Sequence, residues 1–347
     1  MRDTKEMLIY IVKRILLMLL TFSIIFLICF ILIRLLPLNP PSGAGTDVEK
    51  FYIQQEALGR MVRTGTGPTD YEALPVLQQL GNFLKNLFFP SSYELPDGTI
   101  EYVSRWGYST SRNSTPPELL FSRMAPTILV NVYAMIFSVP LGLAIGTYMA
   151  LKKNKWQDNF LGVVVMLFIS VPSFVYSFLL QYIFAFKLSW LPATRADFDG
   201  SWFTGAMFVS MILPVISMSF GSIAGYARYT RAELTEVLTS DFMLLARTKG
   251  LTRAQATIRH AFRNSLVPIF PMLLGEILSV LGGSMIIESI FSINGVGSLF
   301  LDSITARDYD VFQFVGMFYI LIGLVGGLVV DISYGLVDPR IRMGGRK

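Results

Sequence analysis

The side chains able to do chemistry are few, and their spacing excludes most enzymatic schemes. One cysteine, Cys29, and one histidine, His260, occur in 347 residues. A single thiol cannot close an internal disulfide or furnish a cysteine-based metal site. A single imidazole supplies neither a His-rich metal site nor a two-His relay. No G-x-x-x-x-G-K-[ST] phosphate loop is present, so ATP hydrolysis by that route must come from another chain. The ionisable groups within apolar stretches are Glu276 and Asp331, with Glu288 near the end of one such stretch. Acids so placed suit proton or ion coupling, or they pair structurally with backbone or another helix. The most distinctive stretch is 228–264, "RYTRAELTEVLTSDFMLLARTKGLTRAQATIRHAFRN", which carries 7 Lys and Arg residues.

The elements that must position these groups are membrane helices. The chain is 53% hydrophobic and 15% charged, with mean hydropathy +0.54, against about 25% charged residues in soluble domains. Soluble and disordered readings are excluded. Six continuous apolar blocks cover 15–33, 125–150, 160–186, 201–227, 266–291 and 311–337. Each matches the roughly 20 residues a spanning helix needs, and none shows the alternation of a membrane β-barrel. The first block is longer than the roughly 7–15 residues of a signal-peptide core, so a retained helix is expected. Segments 1–14, 151–159, 228–264 and 338–347 hold 18 of the 29 Lys and Arg residues, whereas 38–120, 187–200 and 292–310 hold 9. By the positive-inside rule both termini are cytoplasmic. Pro140, Pro172, Pro214, Pro268 and Pro271 can kink the spans. Gly142, Gly146, Gly282, Gly283, Gly323, Gly326 and Gly327 allow close helix packing.

Two loops exceed mere connections. The outer segment 38–120 contains an amphipathic run over 74–89, with Leu77, Leu80, Phe83, Leu84 and Leu87 at helical spacing, so a small ordered external cap is expected. In the inner loop, Leu234, Val237, Leu238, Phe242, Leu245 and Ala246 recur at three and four, the mark of an amphipathic helix. Ser240 or Asp241 can N-cap a short helix that ends near Lys249. Gly250 stands where a C-cap wants positive φ, with Leu251 as its hydrophobic follower. Thr252 and Gln255 form a T-x-x-Q capping box. Helix, sharp Gly turn and second helix suit docking on a partner. The pattern alone also suits an amphipathic helix lying on anionic lipid.

Several stretches resemble the permease subunits of binding-protein-dependent ABC importers, above all the B-type subunit of the oligopeptide and dipeptide group. "ARTKG" (246–250) is similar to that group's A-R-A-K-G in the cytoplasmic EAA loop, and "YARYTRAE" (226–233) to its approach. "RHAFRNSLVP" (259–268) resembles R-H-A-L-R-N-x-x-x-P, and "ESIFSINGVGSLF" (288–300) resembles E-x-x-F-x-x-P-G-x-G. "DISYGLVDPRIR" (331–342) resembles the group's D-x-x-Y-x-x-x-D-P-R-I-R close. "YIVKRILLMLL" (10–20) and "RLLPLNP" (34–40) fit its N-terminus. Asn294 stands where the group has Pro; since Asn tolerates turn conformations, the turn is expected to survive. Leu244 replaces the first Glu of the general EAA pattern.

The resemblance implies an all-α polytopic protein with six transmembrane helices and the type I ABC importer permease fold. Both termini are cytoplasmic and an extracellular insertion follows the first helix. Its parts are the first helix (1–37), the outer segment (38–118), the permease core (119–338, with coupling loop 228–264) and a tail (339–347). The implied activity is ATP-driven import of oligopeptides or dipeptides across the cell membrane by alternating access, with no catalytic residue and no cofactor in this chain. ATP and Mg belong to two partner ATPase subunits. A second, C-type permease and an extracellular peptide-binding protein complete the complex; no nucleic acid is involved. Asp241, Leu245, Ala246, Arg247, Lys249 and Gly250 are the implied ATPase-coupling residues. Glu288, Phe291, Gly295, Gly297, Asp331, Asp338 and Arg340 carry structural motifs. Asn131, Tyr133, Gln181 and Tyr226 are polar or aromatic candidates for the solute path. An ion-coupled carrier using Glu276 and Asp331, or a membrane scaffold, is the alternative class. Within the family, nickel or another small solute is the alternative cargo.

Overall fold

The computed structural model describes residues 2–38, 40, 48–89, 92–94, 98–102, 104–109, 111–198 and 201–337. Asp338, Arg340 and the tail 339–347 lie outside the described residues. The chain divides into two compact units. One holds Met1–Met18, Ala125–Gly297 and Ile322–Lys347, and is called the transport unit here. The other holds Leu19–Met124 and Ser298–Leu321, and is called the outer unit.

In chain order, α1 (Arg2–Arg34) precedes the small elements of the outer segment, which are α2 (Val48–Ala57), β1 (Met61–Arg63), β2 (Tyr71–Ala73), α3 (Val76–Phe88), β3 (Ser92–Glu94) and β4 (Ile100–Tyr102). Long helices follow: α4 (Pro116–Leu151), α5 (Trp156–Ser170), α6 (Ser173–Leu180) with a π-helical extension (Gln181–Lys187), and α7 (Gly205–Leu238). Then come α8 (Asp241–Thr248), α9 (Arg253–Ala256), a π-helical stretch (Thr257–Phe262), α10 (Arg263–Ser265), α11 (Phe270–Ser279), α12 (Met285–Ile290), α13 (Val296–Thr305) and α14 (Tyr309–Val337).

Among the described residues, four helices are long and apolar enough to cross a membrane, and six spans result if each bent pair counts as one. The bends measure 98° between Trp156–Ser170 and Ser173–Lys187, and 55° between Ala254–Ser265 and Phe270–Ser279. Both fall at prolines. Pro172 is the N-cap of α6, and Pro271 sits at the start of α11, where the missing N–H is no loss. Pro140 and Pro214 instead lie inside unbroken α4 and α7.

In the transport unit, α4 and α7 approach closely through Gly142 and Gly146. A Cβ on Gly142 would meet Tyr226 Cβ at 2.6 Å, and one on Gly146 would meet the Ala227 carbonyl at 2.5 Å. This is small-residue packing of the kind membrane helices use, since lipid gives no hydrophobic drive for association. Among the described residues, Gly323 and Gly327 have no neighbour within 4 Å of a Cβ, so they make no close approach within this chain. A core of Leu129, Val130, Met207, Met211, Leu213, Ile287, Phe291 and Ile293 joins α4, α7 and α12.

In the outer unit, Phe83 of α3 packs on Phe26 and Phe30 of α1 at ring distances of 5.7 and 5.4 Å, and on Trp106 at 5.7 Å. The expected helix over 74–89 forms as α3, with Phe83 buried, Leu80 and Leu87 half-buried, and polar side chains sharing the inward face. Gln79 and Asn86 are buried, and Gln79, Asn82 and Asn86 donate to the carbonyls of Leu74, Gly59 and Leu58. Leu77 and Leu84 are exposed. Satisfying the loop carbonyls outweighs burying two leucines, because an unpaired buried backbone group costs about 1–3 kcal/mol. Two antiparallel hairpins, β1–β2 and β3–β4, add to the expected helical cap. Beneath the cap, Arg60 donates two bonds to the Asp310 carboxylate, at 3.0 and 2.5 Å. Arg34 lies 3.9 Å from the same group and donates to Gln313. All three charged side chains are buried. Gly107 has φ +88, and a Cβ there would collide with Asp310, so only glycine fits.

Candidate functional site

The inner hairpin is built by local sequence. Ser240 is the N-cap of α8 by position, but its hydroxyl donates to Val237 O at 2.6 Å instead of capping. The helix ends in a Schellman arrangement. Gly250 N–H donates to Arg247 O at 3.0 Å, and Leu251 N–H to Ala246 O at 3.4 Å. This needs the left-handed φ of +92 at Gly250, which glycine adopts without Cβ strain. Thr252 and Gln255 then exchange the two bonds of a capping box, 3.1 and 3.3 Å, and start α9.

One side of α8 is anchored and the other is free. Met243 and Ala246 are buried against Leu234, Ala150, Ala256 and Ala261, with Val237, Leu238 and Leu251 around them. Asp241, Phe242, Leu244, Leu245, Arg247, Lys249 and Gly250 are exposed. The apolar periodicity therefore does not mark one buried face: Met243 and Ala246 face the core, whereas Phe242 and Leu245 point away from it. Of the residues expected to couple, Ala246 is 9% exposed, so it holds the helix in place and presents nothing to a partner. The platform is stiff. Helix α7 runs unbroken for 34 residues to the hairpin. Two turns before its end, Arg231 forms a bidentate pair with buried Asp158 of α5, at 2.6 and 2.7 Å. Asp158 also accepts from Asn154 N–H.

A second constellation surrounds Glu288, which is fully buried. Thr127 donates to its Oε1 at 2.9 Å, and Val296 N–H donates to Thr127 Oγ1 at 2.8 Å. A Cβ on Gly295 would collide with both Thr127 and Glu288, and one on Gly297 would meet Met285 N at 2.8 Å. The glycines of the "NGVG" turn therefore make room for a buried carboxylate that ties α12 to α4. Phe291 is fully buried, and its carbonyl accepts from Arg195 N–H at 2.8 Å. The left-handed residue in this turn is Ser292, with φ +52, and not Asn294. Ser292 takes the role Gly250 has in the hairpin, since Ile293 N–H donates to Glu288 O at 2.7 Å.

The family model described as "Binding-protein-dependent transport system inner membrane component" matches residues 142–343. The chain belongs to this family. It is 30% identical over 341 residues to the glutathione transport system permease protein GsiC of Salmonella typhimurium, covering 97% of this chain and 99% of that one. It is 32% identical over 335 residues to the dipeptide transport system permease protein DppB of Lactococcus lactis, covering 96% and 99%. The GsiC of Escherichia coli K12 is 28% identical over 339 residues, covering 97% and 99%. The protein is thus a multi-pass permease of the inner membrane, a transport subunit and not an enzyme. Its ATPase and permease partners and its binding protein are separate chains.

The permease brings only part of the expected solute path together. Asn131 lines a cavity of about 330 Å3 with Ser222, Glu276 and Ser279. Tyr226 is buried. Tyr133 packs edge-on against Phe208 at 5.9 Å beside the core. Gln181 donates to the carbonyls of Ala193 and Ile290 at 2.7 and 3.1 Å, so it fastens a loop. Asp331 pairs with Arg14 at 2.9 Å, linking the first and last spans of the permease. The Asp158–Arg231 and Arg60–Asp310 pairs carry no sequence signal, because their partners lie 73 and 250 residues apart.

Proposed function

We propose that this permease forms the membrane channel of an ATP-driven importer of short peptides. α8 is its coupling helix, seated in a groove of an ATPase subunit. The observation that carries the reading is the rigidly mounted hairpin, which exposes Phe242, Leu244 and Leu245 beside Arg247 and Lys249. Exposed apolar side chains flanked by cations fit a partner groove with an acidic rim, where Arg247 and Lys249 would make charge-assisted hydrogen bonds. Gly250 sets the turn. Closure of the ATPase pair would push α8, and α7 with it, switching the path between outward- and inward-open states.

In this reading the complex holds a C-type permease, two ATPases carrying ATP and Mg, and an extracellular binding protein that meets the outer segment 38–118. The core is 119–338, and this chain itself carries no cofactor. Peptide cargo is supported by relatives named for glutathione and dipeptide transport. Asp331 is paired with Arg14, which supports a structural role for that acid over ion coupling. The test is uptake of labelled dipeptide and glutathione by proteoliposomes holding the whole complex and its binding protein. Internal ATP should drive uptake of at least one, and dissipating the proton gradient should leave it intact. Uptake that follows the proton gradient without ATP would overturn the reading.

A further inference from the structure

A groove of about 520 Å3 runs along α5 and α7 in the transport unit. Its wall is apolar, made by Met149, Val163, Met166 and Leu167. Its polar end carries Arg228 and Arg231, which sit three residues apart on one face of α7. Arg231 is fixed in direction by its bidentate pair with Asp158, whereas exposed Arg228 reaches over the Tyr229 ring. The turn before α5, whose Asn154 N–H donates to Asp158, also carries Lys152, Lys153 and Lys155. Asp158 neutralises one of these cations, so the mouth keeps an excess of positive charge. It lies at the basic, cytoplasmic ends of the spans. The wall leads from it toward the middle of α5, with Val163, Met166 and Leu167 more than half exposed.

We propose that this groove is a binding site for an anionic phospholipid of the inner leaflet. The phosphate sits at Arg228, and one acyl chain lies along Val163, Met166 and Leu167. Charge complementarity selects the anionic headgroup, and the length of apolar wall selects a lipid over a free anion. Gly162 leaves the groove open, since a Cβ there would meet only Met149 Cε, at 4.0 Å.

The experiment is native mass spectrometry of the assembled importer, delipidated in neutral detergent and offered phosphatidylglycerol and phosphatidylcholine in equal amounts. The wild type should retain phosphatidylglycerol preferentially. R228Q should lower that retention about fivefold, the attraction of one surface cation near an anionic headgroup. Gly162→Leu fills the wall, leaves the charge untouched and favours the helix, so it should also lower retention while the complex assembles normally. Inorganic phosphate and glycerophosphate form the other arm and should fail to displace the lipid. Equal retention of both lipids, or retention unchanged in both variants, would overturn the proposal. Displacement by inorganic phosphate at low concentration would show a soluble-anion site and overturn it as well.

Discussion

Replacing Gly250 isolates one physical cause. Its φ of +92 is closed to most side chains, yet nothing lies within 4 Å of a Cβ built there. A substitution therefore meets no neighbour, and its whole cost is backbone strain. For alanine that strain is about 1–2 kcal/mol, less for asparagine, and more for a β-branched residue such as valine. Because about 1.4 kcal/mol is a factor of ten in an equilibrium, Gly250→Ala should cut the population of the closed hairpin relative to open forms by about five- to thirtyfold. Gly250→Val should do so further. Uptake per ATP hydrolysed by the complex in proteoliposomes should then fall in the order Gly, Asn, Ala, Val. Complex yield should change less than coupling, since Met243 and Ala246 still anchor α8. Wild-type coupling in Gly250→Val would refute the argument that this turn must hold one conformation.

Other substitutions test the interior. Glu288→Ala strands the Thr127 hydroxyl and empties the cradle beneath Gly295, so thermal stability of the purified complex should drop by about 3 kcal/mol. A drop below about 1 kcal/mol would contradict a structural role of this size. Asp310→Ala leaves two buried guanidiniums facing each other, and a loss of about 3–5 kcal/mol is expected, seen as failure of the outer unit to resist protease. Gly146→Leu drives a side chain into the Ala227 carbonyl, so the α4–α7 contact should open and the complex should not assemble; unchanged assembly would show that the contact is dispensable. Ser292→Gly relieves a left-handed side chain and should raise stability by up to about 1 kcal/mol, measured by the melting temperature of the complex.

What was legible in the sequence is what short-range physics writes. Continuous apolar runs gave the spans. Thr252 with Gln255, and Gly250 with Leu251, gave the hairpin almost bond by bond, because capping depends on residues three to six apart. Pairings across long separations were hidden: no local pattern links Arg60 to Asp310, Asp158 to Arg231, or Thr127 to Glu288. The facing of α3 and α8 was not legible in the sequence, for one reason. Apolar periodicity reports amphipathicity without saying which side is covered. In α3 the loop carbonyls of Leu58 and Gly59 claim the polar side, and in α8 Phe242 and Leu245 are turned outward. The two hairpins of the outer unit escaped because strands of three residues are too short to show alternation. Polar residues within the spans take more than one place. Asn131 borders a cavity while donating to the Thr127 carbonyl, and Gln181 fastens a loop, and composition does not separate the two.

The most direct test of the central claim is site-directed cross-linking on α8. With Cys29 replaced by Ala, single cysteines are placed at Leu245, which is 56% exposed, and at Ala246, which is 9% exposed. A thiol-directed photocrosslinker is attached in the assembled complex. The account predicts a covalent adduct with the ATPase subunit from position 245, with a yield that changes between nucleotide-free and ATP-bound states, and little from position 246. No ATPase adduct from position 245, with adducts forming instead to lipid or to the second permease, would contradict it.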